Sequence, residues 1–415
     1  MKLAPGTPLT ASLSFDQERA AMAVGRLALD GGLAQLEWSA EVIAAGLAVS
    51  PLLYPPEPGL HGARSREFEG LHGVFADSLP EGWGYLIMRR RLAKLGLRLE
   101  AMSPLDRLAL VGDRGRGALT YLPATAPPPE VETLDLDALA ANSAAILLGE
   151  EAELVATLAT LGGGSGGARP KIHVGFDASG AASVSDGETP PGHTAWIVKF
   201  RATEDPLDIG PIEAAYADMA KAAGVRMAEH RLLPAKTGPG YFAVRRFDRP
   251  TSGRRLHMIS LSGAIEAPWR MPGSYDQLLR ATLAITRRAD DVADAFRRMV
   301  FNILASNRDD HTRQHSYLMD ETGEWRLAPA YDLTYSAGPG GEHYLDVEGE
   351  GRNPTRGHVL ALGRRHGISQ RTIDTVIDEV RASVALWPRF AAEAGVGNAS
   401  IRDIDAALNA VRSRF

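Results

Sequence analysis

The sequence predicts an α+β chain, and three observations predict it. Short apolar runs separated by Asp-Gly and Gly-Gly turns fill the first fifty residues, as TASLSF, AMAVGRLAL and GGLAQLEWS. A glycine-rich turn near the middle, GGGSGGARPKIHVGFD, runs into alternating, strand-like residues. Apolar residues spaced three and four apart then mark the later part, most clearly in DDVADAFRRMVFNILAS.

At 415 residues the chain exceeds the size at which a single core usually stops growing, so two or three domains are expected. Its 45% hydrophobic and 23% charged residues are ordinary for a globular protein and argue against long disorder. The lack of cysteine excludes disulfides, thiolate catalysis and cysteine-ligated zinc, and fits a reducing compartment. A net charge of −6 gives no global pull toward nucleic acid, so DNA contact would need a local basic patch or a basic partner. MKLAPGTPLTASLSFDQ lacks the apolar region of a secretory signal, and no run reaches ~18 apolar residues. A cytoplasmic protein without a membrane span is expected.

Residues 10 to 54 predict a small β-rich module, and the prolines of AVSPLLYPPEP close it because they lack donors and restrict their predecessors. In EFEGLHGVFADSLPEGWGYLIMRRRLAKLGL, Pro80 and Glu81 suit a helix start. Trp83, Leu86 and Ile87, then Met88, Leu92 and Leu95, recur at helical spacing. Arg89, Arg90 and Arg91 read as a solvated helix face rather than a nucleic-acid patch. SPLDRLALVGDRGRGALTYLP predicts a helix, a turn and a strand, and ATAPPPEVET a linker, which places a boundary near residue 125. Residues 134 to 161, rich in Ala and Leu, predict helix.

The run from Gly162 to Gly167 satisfies GxGxxG, a weak pattern that a flexible linker also meets. A dinucleotide-binding loop would open a helix, whereas KIHVGFD predicts a strand, and no GK[ST] follows as a Walker A loop requires. A glycine loop entering a strand is the kinase arrangement, in which the backbone of Gly164, Ser165, Gly166 and Gly167 can approach phosphates because no Cβ intervenes. The strand HTAWIVKF carries Lys199, suited to pair with nucleotide phosphates. The helix PIEAAYADMAKAAGV turns Ile212, Tyr216, Met219 and Ala220 to one side and places Glu213 at its start, where the helix dipole favours a carboxylate and where it is a candidate to orient Lys199. EHRLLPA and YFAVRRFDRP predict two strands, with Phe247 and Asp248 leaving the second at the position of a nucleotide-binding hinge.

The helix DDVADAFRRMVFNILAS is apolar on one face through Val292, Phe296, Met299, Val300 and Ile303, so it predicts the spine of a helical lobe. It leads into SNRDDHTRQHSYLMDETGEWRLAPAYDL. Phosphoryl transfer needs a carboxylate near the acceptor proton and oxygen ligands for a metal that bridges phosphates. Asp309 and Gln314 have the spacing of the acid and the metal-binding amide in D-x-x-x-x-N, and Asp332 follows in a strand-turn context suited to a second metal ligand. Asn307 to Asp310 read as a loop, with His311 holding it. His311 and His315 also suggest a metal-dependent hydrolase, but four-residue spacing places them on one face only in a helix. SQRTIDTVIDEVRASVALWPRFAAEAG and ASIRDIDAALNAVRSRF predict terminal helices, each opened by a serine cap.

Together, FADSLPEGWG, DRLALVGDRGRGAL, GGARPK, WIVKF, FAVRRFDR, NRDDHTRQHS and LAPAYDL make the chain resemble the HipA family of serine/threonine kinase toxins over nearly its whole length. The resemblance implies a β-rich N-terminal subdomain (1–125), the ATP-binding part of a protein-kinase-like core (126–250) and an all-helical C-terminal lobe with the catalytic and metal-binding loops (251–415). It implies Mg2+-ATP-dependent protein phosphorylation that stops growth, in some members by modifying an aminoacyl-tRNA synthetase, and a small helix-turn-helix antitoxin that also binds operator DNA. Residue by residue it implies Lys199 on the nucleotide phosphates, Asp309 as catalytic base, Asp332 as metal ligand, and Phe247 and Asp248 at the hinge. Three positions depart from the family pattern. Arg245 stands where glutamate is common, Gln314 where the metal-binding asparagine stands, and Gly164 at the usual autophosphorylated serine, with Ser165 beside it. Two further readings stay open: a weakened kinase-like binding module acting through a DNA-binding antitoxin, and a small-molecule kinase.

Overall fold

In LAQLEW the side chains alternate, and in the computed structural model Ala34, Leu36 and Trp38 are buried while Glu37 faces solvent. The structure describes all residues except 1, 5, 128, 165 and 185–188. The contacts of the chain group into two units. The first comprises Met1–Asp205, Ala243–Ile259 and Leu318–Glu324; the second comprises Pro206–Phe242, Ser260–Tyr317 and Trp325–Phe415.

In the first unit, β1 (Leu9–Leu13), β2 (Met22–Asp30), β3 (Leu33–Trp38), β4 (Leu60–Gly62) and β5 (Leu119–Leu122) form an antiparallel sheet in the order β4-β3-β2-β1-β5. β1, β2 and β3 fall within or at the edge of residues 10 to 54. The helix Trp83–Lys94 buries Trp83, Ile87, Met88 and Leu92, and Met88 and Leu92 pack against Leu99, Met102 and Leu110. Each large aliphatic side chain so buried contributes roughly 1.5–3 kcal/mol relative to exposure.

The same helix corrects the reading of its arginines. Arg89 and Arg90 are at least partly exposed, but Arg91 is buried, with Nη1 donating to Thr160 Oγ1 at 2.8 Å. Residues 134 to 161 form two helices, Leu136–Leu147 and Val155–Gly162. Gly149, at φ 83°, takes the left-handed turn between them, and Asn142 Oδ1 accepts from Leu154 N at 3.0 Å. A second sheet contains β6 (Lys171–Phe176), β7 (Ala182–Val184) and β8 (Thr194–Lys199), with β6 central between β7 and β8. Ala243, Val244 and Arg245 pair antiparallel with Val198, Ile197 and Trp196 of β8.

In the second unit the helix Ala289–Leu304 buries Val292, Phe296, Met299, Val300 and Ile303, as its periodicity predicts. The helix Ile209–Ala222 is buried along nearly its whole length, and Tyr216 on it donates to Ala305 O at 2.8 Å. The sequence reading missed the helix Tyr275–Thr286, although Ser274 and Gln277 form a capping box at its start. It also missed Arg356–Arg365.

Two further expectations need correction. The C-terminal part is not all helical, because Gly273–Ser274 pairs in parallel with Leu345–Asp346. Ser369 caps Gln370–Val384 as expected, but the last helix, Asn398–Arg412, has Gly397 as its cap residue. Ser400 lies inside that helix and donates to Asp208 Oδ1 at 3.0 Å, while Gly397 N donates to Asp208 Oδ2 at 2.8 Å. A carboxylate from a distant segment thus satisfies the helix start. Among the described residues no helix is long and apolar enough to cross a membrane.

Candidate functional site

The acidic loop begins where the helix Ala289–Leu304 runs out. Ser306 takes the left-handed region at φ 49°, which turns the chain away from the helix axis. A buried relay fixes the next residues: Asn307 Nδ2 donates to Asn302 Oδ1 (2.9 Å), Asn302 Nδ2 to Tyr275 Oη (2.9 Å), and Tyr275 Oη to Asp310 Oδ2 (2.6 Å). Asp310 also lies 2.8 Å from His343 Nδ1, and its Oδ1 accepts from Tyr344 N at 2.9 Å. Burial would raise the Asp310 pKa, but His343 and the Tyr275 hydroxyl outweigh it, and the carboxyl titrates below its ordinary value. Asp310 is therefore held by Tyr275, His343 and Tyr344 N.

Its neighbour Asp309 stays half exposed, and His311 Nε2 lies 3.6 Å from Asp309 Oδ1. His311 Nδ1 accepts from Arg313 N at 3.2 Å and so caps the single turn Thr312–Gln314. Burial lowers the His311 pKa, against Asp309, Asp332 and Asp310, which each raise it. A neutral ring whose Nδ1 accepts carries its proton on Nε2, toward Asp309. Trp269 and Tyr344 flank this ring at 5.0 and 5.4 Å between centroids.

Asp332 sits in the left-handed region at φ 53°, a conformation that a non-glycine residue holds only when its surroundings enforce it. The adjacent Tyr331 supplies that constraint, since its hydroxyl donates to Arg313 O at 2.6 Å and lies 2.6 Å from Ser316 Oγ. The loop carrying Asp309 and Gln314 and the turn carrying Asp332 are thus joined, and both carboxylates act on one imidazole. Gln314 is half-buried, with its N–H donating to His311 O at 2.8 Å. Asp332 and Gln314 offer hard oxygen donors of the kind Mg2+ takes together with phosphate oxygens. Among the described residues no group of three or more His, Asp or Glu side chains is placed to hold a metal. His315 is buried and neutral, its pKa pushed down to about 3 by burial and then by Arg298, and it does not share a helical face with His311.

The first unit holds the glycine run and Lys199. A Cβ on Gly164 would meet Arg114 O at 2.6 Å, and Gly167, at φ 79°, accepts at its carbonyl oxygen from Trp83 N at 2.9 Å. Close packing within the unit therefore already requires these glycines. Lys171 Nζ donates to Gly166 O at 2.6 Å, and Lys171 stands opposite Lys199 in the register of β6 and β8. Lys199 is buried at the end of its strand. Lys171 escaped the sequence reading, although a lysine opening the strand directly after the glycine run was visible. Ser165 lies outside the described residues.

The side chain of Asp248, which follows the strand Tyr241–Arg245, is fixed by the protein's own groups. Its carboxylate accepts from Arg246 (3.0 and 2.8 Å), Arg249 (2.9 Å) and Gly117 N (2.9 Å), and it is buried. Burial raises its pKa, yet Arg246 and Arg249 together hold it far below the carboxylate range. The side chain is committed to the protein's own cations, which leaves Phe247 as the hinge candidate. Arg245, at the position where the family pattern has glutamate, donates to Pro250 O at 3.0 Å. Glu213 is buried in the second unit on the helix Ile209–Ala222.

Comparison with known proteins follows the same division of the sequence. The model of the HipA-like C-terminal domain matches residues 163–387, and that of the HipA N-terminal domain matches residues 20–122. A chain of the solved Shewanella oneidensis MR-1 complex of the toxin-antitoxin system HipA, HipB and operator DNA is similar with a TM-score of 0.71 and 17% identity, over 98% of this chain and 97% of that one. The Helicobacter pylori proinflammatory kinase CtkA gives a TM-score of 0.38 at 14% identity, over 54% of this chain and 88% of that one, too low to carry an argument. A curated Haemophilus influenzae protein with a provisional kinase name is 29% identical over 102 residues, which is 22% of this chain and only 30% of that relative's length.

Proposed function

The chain belongs to the HipA family, and from that premise we propose that it is an ATP- and Mg2+-dependent protein serine/threonine kinase, the toxin of a toxin-antitoxin pair. The observation that carries this reading is the join of the two turns: Tyr331, next to Asp332, donates to Arg313 O in the loop where Asp309 stays half exposed and its neighbour Asp310 is locked. That division of labour suits phosphoryl transfer, in which one carboxylate must reach the acceptor while others hold the loop and the metal.

Bound ATP with Mg2+ would supply the transferable phosphoryl group. Asp309 accepts the proton of the acceptor hydroxyl, and His311, whose Nε2 lies 3.6 Å from Asp309 Oδ1, stands beside that carboxylate. Gln314 and Asp332 provide the oxygens that hold the cation. Lys199, with the backbone of Gly164 to Gly167, holds phosphate oxygens, and Lys171 fixes that glycine run through Gly166 O. Phe247 serves the nucleotide hinge. Partners consistent with the family are a translation-related protein substrate, such as an aminoacyl-tRNA synthetase, and a small helix-turn-helix antitoxin through which operator DNA is reached.

Gln314 favours a second reading, a weakened kinase-like binding module, because its extra methylene relative to asparagine re-aims the ligand oxygen. Turnover separates the two. Incubation with labelled ATP, Mg2+ and bacterial lysate is expected to label a protein band that Asp309→Asn abolishes. Absence of transfer to any protein would remove the protein-kinase reading and leave the binding module and the small-molecule kinase. Phosphoproteomics after expression of wild type beside Asp309→Asn would name the target.

A further inference from the structure

Within the second unit, a cavity of about 170 Å³ opens between the last helix and the segment that follows Asp332. Small apolar residues of the helix form one wall. The polar lining consists of Arg308, Arg414, Ser306, Tyr335 and Ser336, and no Asp or Glu lines the cavity among the described residues.

Positive charge gathers in this lining, and the carboxylate that acts on Arg308, Asp310, lies outside the lining and is already bonded to Tyr275, His343 and Tyr344 N. Arg308 Nη1 donates only to a neutral carbonyl, Ala337 O, at 3.2 Å, and Arg308 Nε is buried with no partner. Arg352 lies nearby, outside the lining: an added Cβ at Gly341 would be 3.7 Å from Arg308 Nη1 and 3.9 Å from Arg352 Nη1. Arg352 has Glu342 at 3.1 Å, whereas the Arg414 guanidinium has no carboxylate partner among the described residues. Burial lowers the Arg308 pKa; Tyr335 opposes that shift, and Arg414 and Arg352 deepen it. Like charges held this close in a partly enclosed space are costly unless an anion joins them.

We propose that this cavity binds a phosphate group, either free phosphate or the phosphate of a phosphorylated serine or threonine. Two guanidinium groups and three hydroxyls supply donors in several directions, which matches the three or four oxygens of a phosphate better than the two of a carboxylate. The proposal does not depend on the kinase reading. Arg308 directly precedes Asp309, so an anion held here would touch the acidic loop from outside the proposed metal and nucleotide contacts.

The test is calorimetric titration of the full chain with inorganic phosphate, with a phosphoserine peptide and with its unphosphorylated form. Wild type, Arg414→Gln, Arg308→Gln and Lys199→Met are compared, with circular dichroism as the check on folding. Arg414 lies beyond the end of the last helix, so Arg414→Gln leaves the fold intact. Binding to wild type that weakens at least about tenfold in Arg414→Gln and persists in Lys199→Met is the expected result. Equal affinity for both phosphorylated probes identifies free phosphate as sufficient, and tighter binding of the phosphopeptide identifies a modified side chain. No heat from either probe with wild type overturns the proposal. So does binding that survives Arg414→Gln and is lost in Lys199→Met.

Discussion

The hydroxyl of Tyr275 donates to Oδ2 of Asp310 at 2.6 Å, with both side chains fully buried. Because Asp310 is ionised there, removing it leaves the facing His343, Tyr275 and Tyr344 groups without their acceptor. Asp310→Ala is expected to cost about 1–3 kcal/mol for each buried donor left without its acceptor. Tyr275→Phe, which removes one donor, is expected to cost about 1–3 kcal/mol. Urea unfolding measures both. The pH dependence has a definite sign, since the folded pKa is depressed: the contribution of Asp310 is present above the ordinary carboxylate value of about 3.9 and is lost as pH falls through the folded value. Asp310→Asn should flatten the acid limb of the stability curve.

Three buried histidines give a second acid effect at higher pH. Burial pushes His72 and His257 down to about 4 and His315 to about 3. Each stays neutral when folded but takes a proton when unfolded below about pH 6.5, so stability is full above that value and falls as pH decreases. The expected slope is about 1.4 kcal/mol per pH unit for each histidine between these limits. His257→Gln should reduce the slope of unfolding free energy against pH by about one proton. An unchanged slope would show that His257 is not held neutral.

The three arginines of MRRRL look alike in sequence and differ in the fold. Arg91 →Thr160 and Arg91→Glu130 bonds, at 2.8 and 3.3 Å, place its guanidinium between helices, while Arg89 is half exposed beside Glu100. Arg91→Ala is expected to destabilise by about 2–4 kcal/mol, because Thr160 and the helix carbonyl at Ala156 lose a buried donor. Arg89→Ala should stay within about 0.5 kcal/mol. Thermal or urea unfolding of the pair tests the contrast.

That contrast also marks what was legible. Periodicity located the strand Lys171–Phe176 and the buried face of Ala289–Leu304, because each pattern reports on one element. Spacing placed Asp309, Gln314 and Asp332 on one short stretch, and the fold does join their two turns through Tyr331. Partners brought by tertiary structure were not legible. Asp310 is held from Tyr275, His343 and Tyr344, and Asp248 from Gly117, all distant in sequence. The glycine run was visible as a loop, but its need for close packing at Arg114 O depends on a neighbour about fifty residues away.

Gln314 yields the last prediction. Its backbone is fixed by the bond to His311 O, at 2.8 Å, so the length of the side chain alone decides where the amide oxygen lies relative to Asp332. Gln314→Asn restores the shorter ligand without changing its chemistry, and under the kinase reading it should lower the Mg2+ concentration needed for half-maximal phosphoryl transfer. Gln314→Ala removes the oxygen altogether and should raise that concentration at least about tenfold, since even outer-sphere partners are worth roughly 10–100-fold in metal affinity. Both variants alter a half-exposed position and should leave the unfolding midpoint nearly unchanged. Activity measured against Mg2+ at saturating ATP separates a ligand from a bystander: a bystander leaves the Mg2+ dependence of both variants superimposed on that of the wild type.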